Sequence, residues 1–297
     1  MTKIQQINIE LTEPLDLTTS LTSGQCFRWR IDSEERWVGV IESRIIRLTQ
    51  KQNFLKVESL ESSNQSMDLE ETIYDYFRIG DDLKEVQERI GWDTRVKYGI
   101  NKFPGMRILR QDPWEVLVSF ILSSTSNIPR ISRTVELLSS KYGERISLDQ
   151  SIRYTFPSPE LLAEVGEARL RELGCGFRAP YVASAALAVA DGKLPLYELR
   201  ESSYLEAMKH LTGLKGVGDK IADCVMLFSL DKLRAFPNDR WITKALHDWY
   251  GFPLRSKYED SREWSWNRFG DDAGYANQYL FWNIRQSTRP LRSTATI

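Results

Sequence analysis

The hydrophobic pattern of this chain changes its period near residue 100, and this change restricts the fold more than any other feature. From residue 4 to about residue 60, apolar and polar residues alternate, and β-branched and aromatic side chains are frequent. Such alternation is typical of antiparallel strands with one buried face. We predict strands at residues 27–31, 37–41, 44–48 and 54–57.

A short helical region follows the predicted sheet. Residues 61–68 are rich in Ser, Asn and Gln, which predicts a loop, and apolar residues then recur at helical spacing in 70–77 and 83–90. We expect these two helices to cover one face of the sheet.

Beyond residue 103 the spacing is helical almost throughout. Asp112 and Pro113 are typical of a helix start, and Gly143 is typical of a helix end. The predicted helices are residues 114–122, 129–142, 159–165, 167–173, 179–190, 202–211, 220–230, 241–250 and 274–285. The sequence therefore predicts an α+β fold, with an N-terminal antiparallel β-sheet domain and covering helices at residues 1–100 and an all-helical domain at residues 101–297.

Charge and composition exclude several classes of function. The chain has 297 residues, with 40 Lys and Arg against 41 Asp and Glu, so its net charge of −1 gives no general attraction to nucleic acid. Binding to DNA would have to be local. Cys26, Cys175 and Cys224 are too far apart for a four-cysteine zinc or iron–sulfur centre, and only two histidines are present.

The same composition predicts a soluble, intracellular protein. Three isolated cysteines suit a reducing compartment. The first residues lack an apolar signal core, and no apolar run approaches the length of a membrane span. We expect a nuclear location in a eukaryote and a cytoplasmic or nucleoid location in a prokaryote.

The turn Gly216-Val217-Gly218 links two predicted helices within a hairpin at about residues 203–230. Backbone N–H groups at the start of the second helix lack intrahelical partners and carry the positive end of the helix dipole, so they can bind a phosphate. Lys220 lies in the first turn of that helix, where the same field disfavours the protonated amine and favours a nucleophile. The hairpin alone is also compatible with an ordinary connector and a surface lysine.

Other residues have both a structural and a functional interpretation. Asp239 precedes a predicted helix and is suited to an N-cap, but its carboxylate also suits the positive charge that develops on a sugar when a base leaves. Asn277 and Phe281 lie four residues apart on one helix face, as in ordinary packing or in a site that binds a base. Gly24 suits a turn or a close backbone approach to a ligand.

Taken together, these segments resemble the 8-oxoguanine DNA glycosylases of the helix-hairpin-helix (HhH-GPD) superfamily along nearly the whole chain. The resemblance is carried by residues 23–29, 107–115, 119–124, 174–179, 216–231, 237–239 and 273–281. No one of these segments is specific alone, but together they are highly specific.

The resemblance implies a catalytic pair and a base pocket. Lys220 would attack C1′ of the nucleotide and form a Schiff base, and Asp239 would support loss of the base. Cys224 and Phe281 would sandwich the flipped base. The carbonyl of Gly24 would accept the N7 proton that 8-oxoguanine has and guanine lacks; guanine would leave that carbonyl unsatisfied, at a cost of about 1–3 kcal/mol.

Further contacts to DNA are implied by the same resemblance. Either Asn277 or Gln278 would meet the pairing edge of the base; the family usually has glutamine where this chain has Asn277. Phe177 would be the aromatic wedge, in place of the family's tyrosine. The remaining implied DNA contacts are Asn127, Arg130 and Arg178 near the orphaned base and Gly216, Val217 and Gly218 at the backbone. Since the family's Asn-rich stretch here reads Ser-Ser-Thr-Ser-Asn, we expect a relaxed preference for cytosine opposite the lesion.

The resemblance thus implies a bifunctional DNA glycosylase and abasic-site lyase that acts on double-stranded DNA containing an oxidised purine. A monomer is the default expectation for its oligomeric state. The resemblance also implies a monovalent cation at the hairpin carbonyls and no other metal or organic cofactor. Two alternatives remain open from the residues alone. One is a monofunctional glycosylase for alkylated or mispaired bases on the same scaffold, and the other is a non-catalytic protein that binds DNA structures.

Overall fold

The computed structural model describes residues 4–61 and 67–287, and it begins with a five-stranded antiparallel sheet. The strands are β1 (Ile4–Glu10), β2 (Arg30–Ile31), β3 (Trp37–Ile41), β4 (Arg44–Lys51) and β5 (Phe54–Leu60). Their order across the sheet is β1-β5-β4-β3-β2. Part of the predicted loop at 61–68 lies outside the described residues.

The predicted sheet is confirmed, but the first predicted strand is largely wrong. Only Arg30 and Ile31 of residues 27–31 pair with β3. Phe27, Arg28 and Trp29 are consecutive and all buried, so this segment does not alternate between a core face and a solvent face as a sheet strand does.

The rest of the described chain is mainly helical, as predicted. The helices are α1 (Leu17–Thr22), α2 (Leu69–Phe77), α3 (Leu83–Ile90), α4 (Thr94–Lys102), α5 (Pro113–Ile121), α6 (Ile128–Tyr142), α7 (Pro159–Leu170), α8 (Ala179–Ala190), α9 (Tyr204–Thr212), α10 (Asp219–Ser229), α11 (Arg240–Tyr250), α12 (Tyr258–Phe269) and α13 (Ala273–Ser287). A hairpin of β6 (Arg145–Leu148) and β7 (Ser151–Tyr154) follows α6. Asp112 caps α5 through the N–H of Glu115, and Gly143 ends α6, both as predicted.

The sequence missed α1, α4, α12 and the β6–β7 hairpin. The case of α12 has a clear physical reason. Its buried positions are Ser261, Ser265 and Phe269, so the face that packs inward carries two serines in place of an apolar stripe. Hydrophobic periodicity does not detect a helix of this kind.

Two large hydrophobic cores lie among residues 4–61 and 67–287. One lies between the sheet and α2 and includes Ile46, Leu48, Ile73 and Phe77. The other lies among the helices and includes side chains of α5, α10 and α13. Residues of α3 belong to this second core, so the prediction that both early helices cover the sheet is correct for α2 and wrong for α3. The division at residue 100 stays a prediction.

The segment Pro159–Ala190 contains a window with the length and hydropathy of a membrane span, contrary to the expectation from the sequence. The backbone breaks it, since Gly166, Gly174 and Gly176 have φ values of 70°, 88° and 58°. Gly166 lies within α7 and the other two glycines lie between α7 and α8, and each of these helices has 12 residues. A helix of that length extends about 18 Å, well short of the roughly 30 Å of a bilayer core.

Candidate active site

A cavity of about 150 Å³ lies where α10, α11 and α13 meet the loop after α1 and the loop between α5 and α6. Eight of the predicted site residues line it: Gly24, Asn127, Lys220, Cys224, Asp239, Asn277, Gln278 and Phe281. These residues come from five separate parts of the chain. A cavity of about this volume is large enough for an aromatic ring.

Lys220 is the second residue of α10 and is half-buried in the cavity wall. Its Nζ donates a hydrogen bond to Ser123 Oγ at 3.2 Å. The same nitrogen lies 5.3 Å from the centre of the Phe120 ring, a favourable position for a cation over an aromatic face. The amine therefore faces the cavity and is oriented by two residues at the end of α5.

Cys224 lies one turn after Lys220 on α10 and is buried. Burial raises the pKa of the Cys224 thiol to about 12, although the nearby charge of Lys220 opposes the shift. The thiol is therefore uncharged at neutral pH. The neutral sulfur provides a polarizable surface against which a planar ring can pack. It does not act as a thiolate nucleophile.

Asp239 begins α11 and confirms the predicted N-cap. Its Oδ1 accepts hydrogen bonds from the N–H groups of Trp241 at 2.8 Å and Ile242 at 2.9 Å. Both of these contacts use the same carboxylate oxygen. The residue also lines the cavity, so the capping role and a role toward a ligand are compatible in this geometry.

Gly24 and Phe281 are in direct contact. Gly24 has a φ of +86°, and a Cβ at this position would lie 3.4 Å from a Phe281 ring atom and 3.0 Å from the Ile128 side chain. Glycine therefore permits the left-handed backbone and leaves room for the Ile128 side chain. The backbone of Gly24 therefore forms one edge of the cavity.

Asn277 and Gln278 are both buried and both line the cavity. The amide nitrogen of Asn277 donates to the Pro237 carbonyl at 3.1 Å, next to the Asp239 segment. The amide nitrogen of Gln278 donates to the Ser23 carbonyl at 3.1 Å, next to Gly24. The two neighbouring amides thus hold two separate chain segments at the cavity wall.

The other predicted DNA contacts lie away from the cavity lining. Phe177 is 52% exposed, as a wedge would require, and the Arg178 guanidinium lies 4.2 Å from its ring centre. Arg178 itself is buried and donates to the carbonyls of Ser124 at 2.7 Å and Thr125 at 3.0 Å. Arg130 is exposed. Contacts of these residues to an orphaned base stay a prediction, as does the relaxed opposite-base preference.

The hairpin turn has the form expected of a backbone anion site. Gly216 and Gly218 are exposed, whereas Val217 is buried in the helical core. Gly218 is the N-cap of α10, and no side chain caps this end of the helix. A phosphate could thus approach the first N–H groups of α10 directly.

Several cavity residues were not predicted from the sequence. They include Phe120, Ser123, Arg240, Trp241 and Arg285. Ser123 falls in a segment that carried the family resemblance, and Arg285 lies four residues after Phe281, so both had a signal in the sequence. Arg240 and Trp241 directly follow Asp239 in the first turn of α11.

Residues 6–117 match the family model described as the N-terminal domain of 8-oxoguanine DNA glycosylase. The N-glycosylase/DNA lyase OGG1 of Arabidopsis thaliana is 32% identical over 92% of this chain and 77% of its own length. The N-glycosylase/DNA lyase of Saccharomyces cerevisiae is 28% identical over 95% and 87% of the two chains. The crystal structure of the 8-oxoguanine glycosylase/lyase of Clostridium acetobutylicum, in complex with double-stranded DNA containing cytosine opposite 8-oxoguanine, has a TM-score of 0.89, 29% identity and coverage of 97% and 99%.

Proposed function

This chain belongs to the 8-oxoguanine DNA glycosylase family, and we propose that the cavity described above carries out the two reactions of a bifunctional glycosylase and lyase. The protein excises 8-oxoguanine from double-stranded DNA and cleaves the strand at the abasic site that results. The observation that carries the proposed assignment of residues is the presence of an amine, a carboxylate, a thiol and an aromatic ring in one cavity.

The proposed first step is attack by Lys220. Its nitrogen lone pair forms a bond to C1′ of the flipped nucleotide while the bond from C1′ to the base breaks, and the bonding pair leaves with the base, which takes up a proton. Positive charge develops on the sugar during this step, and the Asp239 carboxylate stabilises it electrostatically. Ser123 and Phe120 orient the amine before attack.

The proposed second step cleaves the strand. The nitrogen loses a proton, and its lone pair forms a second bond to C1′ while the bond between C1′ and the ring oxygen O4′ breaks. O4′ takes up a proton, so the sugar ring opens and a protonated imine joins Lys220 to C1′. Loss of a proton from C2′ then expels the phosphate at C3′, and hydrolysis of the imine returns the free lysine. An imine requires an amine nucleophile, which is why Lys220 distinguishes this enzyme from a glycosylase that activates water.

Recognition of the base rests on the walls of the cavity. The base lies between the Cys224 thiol and the Phe281 ring, and the Gly24 carbonyl accepts the N7 proton of 8-oxoguanine. The amide nitrogens of Asn277 and Gln278 donate to backbone carbonyls, and in this proposal an amide oxygen accepts a hydrogen bond from the pairing edge of the base. Both residues remain candidates for this contact.

We also propose a cellular setting for the enzyme. Cys26, Cys175 and Cys224 are free and buried, which supports a reducing, intracellular compartment. We propose that the enzyme acts as a monomer and without an organic cofactor. A monovalent cation at the hairpin carbonyls also remains a proposal, and no step above depends on it.

Borohydride trapping on a duplex with one 8-oxoguanine tests the role of Lys220. Wild type is expected to give a covalent protein–DNA adduct, and Lys220→Gln to give none. Lys193→Gln, which changes an exposed lysine paired with Asp191, is the matched control and should trap like wild type. An undiminished adduct with Lys220→Gln would refute the assignment, and base loss without strand cleavage by wild type would favour a monofunctional glycosylase.

A further inference from the structure

The helix α10 carries a buried carboxylate in addition to the two residues that are proposed to contact the nucleotide. Asp223 is fully buried, with Lys220 three residues before it and Cys224 immediately after it. Tyr204 Oη donates to Asp223 Oδ1 at 2.6 Å, and Tyr258 Oη donates to Asp223 Oδ2 at 2.6 Å. Both hydroxyls are therefore fixed by one carboxylate that is held away from solvent.

Tyr258 also contacts the segment that carries Asp239. Its hydroxyl oxygen accepts a hydrogen bond from the Asn238 N–H at 3.2 Å, while the hydroxyl proton points to Asp223. Burial, with Asp223 nearby, holds the pKa of Tyr258 well above its ordinary value, so the hydroxyl keeps its proton. A single group thus connects α10 to the backbone one residue before Asp239.

Further hydrogen bonds restrain the same segment from other sides. The Asn238 side chain donates to Ser261 Oγ on α12 at 2.9 Å and accepts from Thr243 Oγ1 on α11 at 2.9 Å. These contacts orient the side chain of Asn238. Tyr258 instead contacts the backbone. Among the described contacts, its hydroxyl is the group that accepts from the Asn238 N–H, and the same hydroxyl donates to Asp223 on α10, the helix that carries Lys220.

We propose that Tyr258 is a positioning residue for Asp239: with Asp223 as its anchor, it fixes the backbone at Asn238 and so the place of the Asp239 carboxylate relative to the sugar. This inference rests on the proposed function. It predicts a selective effect, because Asp239 stabilises charge during loss of the base, whereas cleavage of a preformed abasic site begins after that step. Tyr258 supports the first reaction and not the second.

The physical basis is the sensitivity of electrostatic stabilisation to geometry. Tyr258→Phe removes one hydroxyl, which leaves the Asn238 N–H without its partner and Asp223 with one donor in place of two. The segment then relaxes, and a shift of about 1 Å in a catalytic group can cost up to about 100-fold in rate. The side chain otherwise keeps its shape and its ring contacts.

Two single-turnover reactions test the proposal: excision of 8-oxoguanine and strand cleavage at a preformed abasic site. Tyr258→Phe is expected to slow excision between about 10-fold and 100-fold and to change cleavage by less than about threefold. Tyr250→Phe is the matched control, since it removes another tyrosine donor to a buried aspartate, Asp93, at 2.8 Å. It should leave both reactions near the wild-type rates.

Two more variants test whether the loss of excision in Tyr258→Phe arises through Asn238 and Asp239. Tyr204→Phe removes the other donor to Asp223 but leaves the Asn238 contact in place, so it should slow excision less than Tyr258→Phe does. In an Asp239→Asn background, Tyr258→Phe should cause no further loss of excision, because the group that it positions is gone. Independent, multiplicative losses in the double variant would overturn the proposal.

Other outcomes separate this inference from the proposed function. Equal losses in both reactions, or unchanged excision by Tyr258→Phe, would overturn the role of Tyr258 while leaving the wild-type chemistry intact. Absence of excision and of abasic-site cleavage in wild type would instead overturn the proposed function. If Tyr258→Phe does not fold, Asp223→Asn, which removes the charge that anchors the Tyr258 hydroxyl, must show the same selective loss of excision or the proposal fails.

Discussion

Gly24 shows how one residue can set both the shape of a site and its selectivity. Its positive φ turns the chain beside the cavity, and its missing side chain leaves room for the Ile128 side chain next to the Phe281 ring. Its neighbour Ser23 accepts the hydrogen bond from Gln278, so the position of this backbone depends on α13. The proposed discrimination between 8-oxoguanine and guanine therefore depends on a carbonyl that is held by packing.

Gly24→Ala should lower the rate of 8-oxoguanine excision by about 10-fold or more, since the left-handed backbone costs about 1–2 kcal/mol for alanine and the new methyl group crowds the Ile128 side chain at the cavity wall. The measurement is single-turnover excision at saturating enzyme. Gly192→Ala is the control, because Gly192 also has a positive φ, of +69°, but has open space where a Cβ would lie. Equal activity of the two variants would contradict the proposed role of Gly24.

At the scale of elements, the turn between α9 and α10 brings Lys220 to the cavity. Gly216 has a φ of +86°, and a Cβ there would lie 2.3 Å from Cγ of Tyr181 on α8. Cγ is close to the backbone of Tyr181, so the ring cannot move aside without a shift of α8. The turn is therefore packed tightly on one side, although Gly216 itself is exposed on the other.

Gly216→Ala should lower the free energy of unfolding by about 2–4 kcal/mol, since backbone strain and overpacking act together. Gly251→Ala is the matched control, because Gly251 also has a positive φ, of +68°, and no atom lies within 4 Å of the position of its Cβ. That variant should lose only the backbone strain, about 1–2 kcal/mol. Urea unfolding of both variants gives the comparison, and equal losses would show that the contact with Tyr181 is unimportant.

At the scale of the whole molecule, buried charges make stability depend on pH. Burial raises the pKa of Asp223 to about 6, although the hydroxyls of Tyr204 and Tyr258 oppose the shift. Asp93 behaves in the opposite way: burial opposes ionisation, but the Val96 N–H and the side chains of Arg268 and Tyr250 outweigh it and lower the pKa of Asp93. The contributions of the two carboxylates to the free energy of unfolding therefore change with pH in opposite directions.

Between about pH 4 and pH 6, Asp223 keeps its proton in the folded protein but loses it in the unfolded chain. Raising the pH through this window therefore destabilises the fold, by up to about 1.4 kcal/mol per pH unit. The free energy of unfolding of wild type should fall relative to that of Asp223→Asn across this window and stay parallel above it. Denaturant unfolding at several pH values measures this difference.

Asp93→Asn provides the contrasting control for that experiment. The stability that ionised Asp93 contributes is present above its unfolded pKa of 3.8 and is lost as the pH falls through its lower folded value. The wild type should thus lose stability relative to Asp93→Asn as the solution is acidified below about pH 4. A flat difference curve for Asp223→Asn would contradict the ionisation assigned to Asp223.

The sequence by itself determined the elements and residues with a local signal. Periodicity predicted the sheet and most helices, the capping pattern predicted the roles of Asp112 and Asp239, and the joint set of segments identified the family. Spacing along one helix also placed Lys220 and Cys224 one turn apart. Such features follow from the backbone geometry of a few neighbouring residues, so the order of residues is sufficient to specify them.

Only the tertiary structure decided which distant residues meet. Gln278 bonds to Ser23 across 255 positions, Lys220 meets Ser123 across 97, and Tyr258 reaches Asn238 from a helix that has no apolar stripe. These contacts depend on how whole elements pack, because a hydrogen bond requires two groups at a fixed distance and angle, and no local pattern encodes the relative placement of helices. The cavity walls are therefore a property of the packed chain.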